Sequence, residues 1–229
     1  MRGEISSGRP SKRHPLDWYV DEVWCANQLA AALGGFAREI AAGLAVWDPC
    51  CGFGHTADAA YGAGLQVFLS DVVDNVDWSA FSLGAPYLTP KFTLADLRGL
   101  SAAPAPCSIL FNPPYSYEKG ILEQCVRKAL QLTSLRVCAL VPNKWLSSQA
   151  RYRLFAEDHP PQAILHLTQR PSMPPGDMIA AMGERAFRGG MIDYCWIVWD
   201  VTRPTAPGAT RTIWLPKLSE PVAPIEWIA

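Results

Sequence analysis

The sequence predicts an α/β domain on a doubly wound, mainly parallel sheet. Short apolar runs of strand length alternate with helical stretches along the chain. The first such run ends in an acid, then a glycine loop, then a helix start, the order of a nucleotide-binding βα turn. A length of 229 residues suits one domain of ordinary to large size with a substantial core.

The elements follow in chain order. Residues 1–14 are polar and basic, with Arg2, Arg9, Lys12 and Arg13, and read as a mobile arm. Tyr19, Val23, Ala26, Ala30 and Leu33 fall at helical spacing after Pro15 and Asp17, and Gly34-Gly35 stop the segment. Strands are expected at Leu44–Trp47, Gln66–Ser70, Cys107–Phe111, Arg136–Val141, Ala163–Leu167 and Tyr194–Trp199. Glu118–Leu132 carries Leu122, Cys125, Val126, Ala129 and Leu130 on one helical face, and Ser147–Glu157 reads as a shorter helix. The domain is therefore set at residues 15–202. Beyond it, residues 203–229 are Pro-rich around Thr212–Leu215 and predict an extended tail with one edge strand.

Asn112-Pro113-Pro114-Tyr115, directly after the apolar run Cys107–Phe111, carries the most chemistry. Two prolines stiffen the turn and remove two N–H donors. Carbonyl acceptors remain, and Asn112 adds its amide oxygen. An acceptor cluster suits a planar NH2 group, and Tyr115 offers a ring face for stacking. Upstream, Asp48-Pro49-Cys50-Cys51-Gly52-Phe53-Gly54 lets backbone approach a ligand at its glycines. It lacks the Gly-Lys-Ser/Thr ending of a triphosphate loop, and Asp48 suits a cationic group. Asp71 ends the next strand, where a carboxylate reaches ribose hydroxyls.

In this order the pieces resemble the class I S-adenosylmethionine-dependent amino-methyltransferases, specifically those acting on adenine N6 in DNA. The resemblance covers most of the chain, and its motif order is gamma-like. It implies a Rossmann-like fold with a seven-stranded, mainly parallel sheet, an antiparallel edge hairpin formed by the last two strands, and helices on both faces. It implies S-adenosyl-L-methionine as cofactor, held by Tyr19, Asp48, Pro49, Cys50, Gly52, Gly54, Asp71, Asp96, Leu97 and Asn112. It also implies that Asn112, Pro113, Pro114 and Tyr115 are catalytic, receiving a flipped or single-stranded adenine.

Residues 170–191 hold four of the five methionines together with glycines and arginines, and are expected to form a substrate loop. Arg170, Met173, Arg185 and Arg188 of this loop, with Lys144 outside it, are the candidate substrate contacts. Met173 stands where the resembling enzymes often place an aromatic. DNA is the expected partner and RNA the alternative, although Lys and Arg number 20 against 21 acids, so any nucleic-acid field must come from local clustering. The same chemistry serves a protein glutamine carboxamide, and a non-catalytic cofactor-fold subunit is a further alternative. The seven cysteines show no zinc spacing, and no metal is expected. Cys107, Cys138 and Cys195 read as buried hydrophobes. No apolar stretch approaches a membrane span, so the expected compartment is the cytoplasm.

Overall fold

Strands buried on both faces read as continuous apolar runs, and four here are buried at every residue: β1 (Ala45–Asp48), β4 (Cys107–Phe111), β5 (Arg136–Pro142) and β7 (Tyr194–Asp200). A computed structural model, describing residues 14–76 and 91–229, adds β2 (Val67–Asp71), β3 (Lys91–Leu94), β6 (Ala163–His166) and β8 (Arg211–Trp214). The order is β3-β2-β1-β4-β5-β7-β6-β8. Pairings from β3 through β5 are parallel, and β7 runs antiparallel to both β5 and β6. Chain order reverses between β1 and β4. The crevice at their carboxyl ends is therefore the topological switch point, where open α/β sheets place their ligands.

Among the described residues the sheet has eight strands where seven were expected, because β8 adds in parallel to β6. The antiparallel pairing of the two expected strands holds, but β7 lies inside the sheet and β8 forms the edge. This β8 is the strand expected in the Pro-rich tail. The chain after it returns to the domain: the Ile225 N–H donates to the Ala32 carbonyl (2.9 Å), and Ile228 is fully buried.

Helix α1 (Val23–Ala32) starts four residues beyond Tyr19. Asp17 takes a left-handed φ of 53° and Tyr19 bridges Pro175 as extended chain, so the helical spacing through Tyr19 is not used. Gly34 and Gly35, both at φ 67°, do end the segment. A short α2 (Ala37–Ala42) precedes β1, and α3 (His55–Gly62) follows the glycine loop. The amphipathic α4 (Ile121–Leu132) buries Ile121, Leu122, Cys125, Val126, Ala129 and Leu130. The helix expected over Ser147–Glu157 is present as a continuous helical run of mixed type, 3-10 at Gln149–Arg151, α at residues 152–153 and π at Leu154–Asp158. The Ser148 hydroxyl accepts the Ala150 N–H, and Pro160 closes the segment. Separate cores on the two sheet faces are covered by α1 with α3 and by α4.

Candidate active site

Asn112 stands one residue beyond β4, with its amide fixed at both ends. Its Nδ2 donates to the Tyr19 carbonyl (3.2 Å) and to Asp21 Oδ1 (3.3 Å), and lies 3.9 Å from the Met173 sulfur. Two acceptors at one end assign that end as nitrogen, so Oδ1 faces the other way. There it accepts the Tyr115 hydroxyl. The Tyr115 ring packs inward, 6.0 Å from the Tyr194 ring. It is not part of the cavity wall, where a free stacking face was expected; Tyr117 lines the wall instead. Burial pushes the Tyr115 hydroxyl well above its ordinary range, so it is a neutral donor.

One carboxylate holds the turn in place. Asp17 Oδ2 accepts three consecutive backbone N–H groups, from Tyr115 (3.1 Å), Ser116 (2.5 Å) and Tyr117 (2.8 Å). These N–H groups follow the two prolines, so Asp17 satisfies donors the turn itself cannot pair. Asp21 joins the same segment to α3 through the Thr56 hydroxyl, at 3.3 and 3.2 Å from its two oxygens.

The glycine loop closes the other side. Gly52 (φ 49°) donates its N–H to Asp71 Oδ2 at 2.9 Å, and Gly54 (φ 82°) precedes α3. Asp71, Pro49, Cys50, Gly52, Asp96 and Leu97 line the cavity with Tyr19 and Asn112; Asp48 and Gly54 do not. Asp48 lies beneath the loop, 1% exposed, with Oδ1 accepting the Cys50 N–H (3.0 Å) and Oδ2 unpaired among the described residues. Burial raises its carboxyl well above the usual range, and burial also raises that of Asp71. Asp96 is the opposite case, held low by the Arg98 guanidinium at 2.8 Å. All seven cysteines are free, and burial pushes the thiols of Cys107, Cys138 and Cys195 up to about 12. Such thiols stay neutral at physiological pH.

The cavity of about 290 Å³ includes Trp18, Phe53 and His55, which the sequence reading passed over. Trp18 tilts against Phe53 (5.2 Å), Phe53 lies 6.2 Å from His55, and His55 lies 6.2 Å from Phe187. This aromatic row runs from the leading segment across the glycine loop to residues 170–191. Four acids, Asp17, Asp21, Asp71 and Asp96, line the cavity, and Arg98, the one Arg on its wall among the described residues, is paired with Asp96 and with Glu118 (2.7 Å). The close-approach glycine, the acids and the row of tilted rings fit a cationic nucleoside such as S-adenosylmethionine. Trp18 and the two acids before α1 carried no motif signal; only the tertiary pairing of their segment reveals them.

Residues 170–191 contain α5 (Ile179–Met182) and are tied to the leading segment. Ser172 N–H donates to Glu22 Oε2 (2.7 Å), Val20 N–H to the Pro174 carbonyl (3.0 Å), and Gly176 N–H to the Trp18 carbonyl (3.0 Å). Of the expected substrate residues, Met173 reaches Asn112. Lys144, Arg170, Arg185 and Arg188 are exposed outside the cavity, and Arg170 pairs with Asp193 at 2.7 Å. Arg2, Arg9, Lys12 and Arg13 of the expected arm lie outside the described residues. No helix among the described residues is long and apolar enough to cross a membrane.

The chain matches no family model, and no curated protein is similar to it in sequence. Solved structures are similar in fold. A proposed RNA methyltransferase from Pyrococcus horikoshii is 18% identical, with 78% of this chain and 80% of that chain covered and a TM-score of 0.55. Magnesium protoporphyrin IX methyltransferase from Synechocystis PCC 6803, solved with bound S-adenosylmethionine, is 16% identical over 76% of this chain and 79% of that one, with a TM-score of 0.49. The likeness to the Pyrococcus protein, with the strand order above, shows that the two share a Rossmann-like α/β fold.

Proposed function

We propose that this protein is an S-adenosylmethionine-dependent methyltransferase acting on an exocyclic amine, with adenine N6 in DNA as the first choice of substrate. The observation that carries this reading is Asn112: an amide fixed by two acceptors at the carboxyl end of β4, on the wall of an acid-lined cavity. When bound, the cofactor supplies a sulfonium methyl group for direct transfer. Asp71, Asp96 and the Gly52 backbone would hold its nucleoside, and the surrounding acids favour its positive charge.

The chain's part is capture and orientation of the amine. Asn112 Oδ1 has two lone pairs, so it accepts an amine hydrogen while still accepting from Tyr115. Holding the NH2 group through its hydrogens leaves the nitrogen lone pair free to attack. Carbonyl dipoles oppose the positive charge that grows there, and a site fixed in advance loses nothing to reorganisation. Met173 supplies apolar surface beside the amide. Residues 170–191 supply the arginines for phosphates.

RNA adenine fits the same acceptor chemistry and is the second reading. Transfer of labelled methyl from S-adenosylmethionine to unmethylated DNA, RNA and protein, assayed side by side, tests the proposal. Label in DNA as N6-methyladenine is the expected result. Label confined to RNA transfers the assignment to that substrate, and label in neither nucleic acid refutes it.

A further inference from the structure

Trp18 combines three features that folding alone leaves without a use. Its indole Nε1 is buried and has no hydrogen-bond partner among the described residues, a costly state for a donor. Trp18 lines the cavity, and its indole nitrogen lies against the glycine loop: a Cβ built on Gly52 would stand 3.0 Å from it. The opposite neighbour is Gly176 of residues 170–191. A Cβ there would meet three atoms of the indole ring at 2.2 to 2.4 Å, so the ring sits directly against that backbone. The Gly176 N–H also donates to the Trp18 carbonyl, and Val20 N–H to Pro174. One side chain thus touches the cofactor loop on one side and the proposed substrate loop on the other.

We infer that the Trp18 N–H is a donor to an oxygen of the bound cofactor, and that through Gly176 it couples cofactor occupancy to the position of residues 170–191. The inference rests on the functional reading above. The acceptor is either the carboxylate of the amino-acid end or a ribose hydroxyl. Coupling of this kind is reciprocal: a ligand that fixes Trp18 orders the loop, and a displaced loop weakens the ligand.

The test is calorimetric titration of the full chain with S-adenosylhomocysteine, with hydrogen exchange read at the Val20 and Gly176 amides. Trp18→Phe keeps a ring and removes the donor. It is expected to weaken binding about tenfold and to abolish ligand-induced protection at Gly176. Gly176→Ala adds only the colliding Cβ at a site outside the cavity wall, and a comparable loss is expected. Gly62→Ala, whose Cβ meets nothing within 4 Å, is the control and binds like wild type. Titration with 5′-methylthioadenosine, which lacks the amino-acid end, separates the acceptors: full affinity in Trp18→Phe assigns the carboxylate, and the same tenfold loss assigns the ribose. Trp18→Phe and Gly176→Ala both within twofold of wild type would overturn the inference while leaving the methyltransferase reading intact. No binding by wild type would overturn that reading, and this inference with it.

Discussion

Asn112 uses its two amide ends for different purposes: the nitrogen is consumed by Tyr19 and Asp21, and the oxygen retains a lone pair beyond the one taken by Tyr115. Asn112→Ala should therefore lower single-turnover methylation about 100-fold to 1000-fold while leaving S-adenosylhomocysteine affinity within a few-fold. Tyr115→Phe removes the competing hydroxyl and keeps the ring against Tyr194, so turnover should stay within about tenfold, whereas Tyr115→Ala opens the packing and should cost far more. Equal loss in the two Tyr115 variants would mean that the hydroxyl itself is needed. Asp48 poses a stability question. Its folded carboxyl titrates well above the unfolded value, so its ionised form disfavours folding, and the cost grows as pH rises from about 4 toward the folded pKa. Asp48→Asn lacks that cost. Unfolding free energies from urea titration should match wild type near pH 4 and exceed it at pH 7 by on the order of 1 to 3 kcal/mol. Cofactor affinity should change little, because the side chain lies under the loop; a large loss would instead place Asp48 on the ligand.

At the scale of elements, the sequence reveals what local chemistry writes and hides what tertiary pairing decides. The fully buried β1, β4, β5 and β7, the α4 stripe and the Gly34-Gly35 stop were legible because burial on one or both faces imposes a run or a period. Edge strand β3 is largely exposed and carries no such run, so it was missed. The segment before α1 was misread as helix because Tyr19 happens to fall in phase with α1. Its extended course follows from contacts no local pattern records: Asp17 to the turn after Pro114, and Tyr19 to Pro175. For the same reason the glycine loop and Asn112 were legible as motifs, while Trp18 was not. Asp17→Ala leaves three N–H groups without their acceptor and should cost roughly 2 to 4 kcal/mol, a fall in Tm on the order of 5–10 °C. Differential scanning calorimetry with and without S-adenosylhomocysteine checks it. A Tm within about 1 °C of wild type would show that water replaces the carboxylate without loss.

For the molecule as a whole, one of the two cores is closed by chain far from the site, through Leu215 and Ile228. Arg136 at the start of β5 is 1% exposed at its side chain, pairs with the buried Glu39 at 2.7 Å, and donates to the Ile228 carbonyl at 2.7 Å. Ser108 on β4 donates to the same Glu39. A buried pair is favourable only when its remaining hydrogens and lone pairs are met, and the Ile228 carbonyl meets one of them. Residues 203–229, read from their prolines as a tail, therefore close the amino edge of the sheet that carries the site at its carboxyl edge. Proline content alone cannot distinguish a free tail from a packed one, since it sets the local path and not what the path covers. Ile228→Ala separates the two. If the segment is part of the core, the lost side chain should lower unfolding free energy by about 2–5 kcal/mol in a urea titration with unchanged slope. Leu218→Ala, at a residue 39% exposed on the same segment, should stay within about 0.5 kcal/mol. Equal, small effects at the two positions would show that the segment detaches in solution and that Arg136 is satisfied without it.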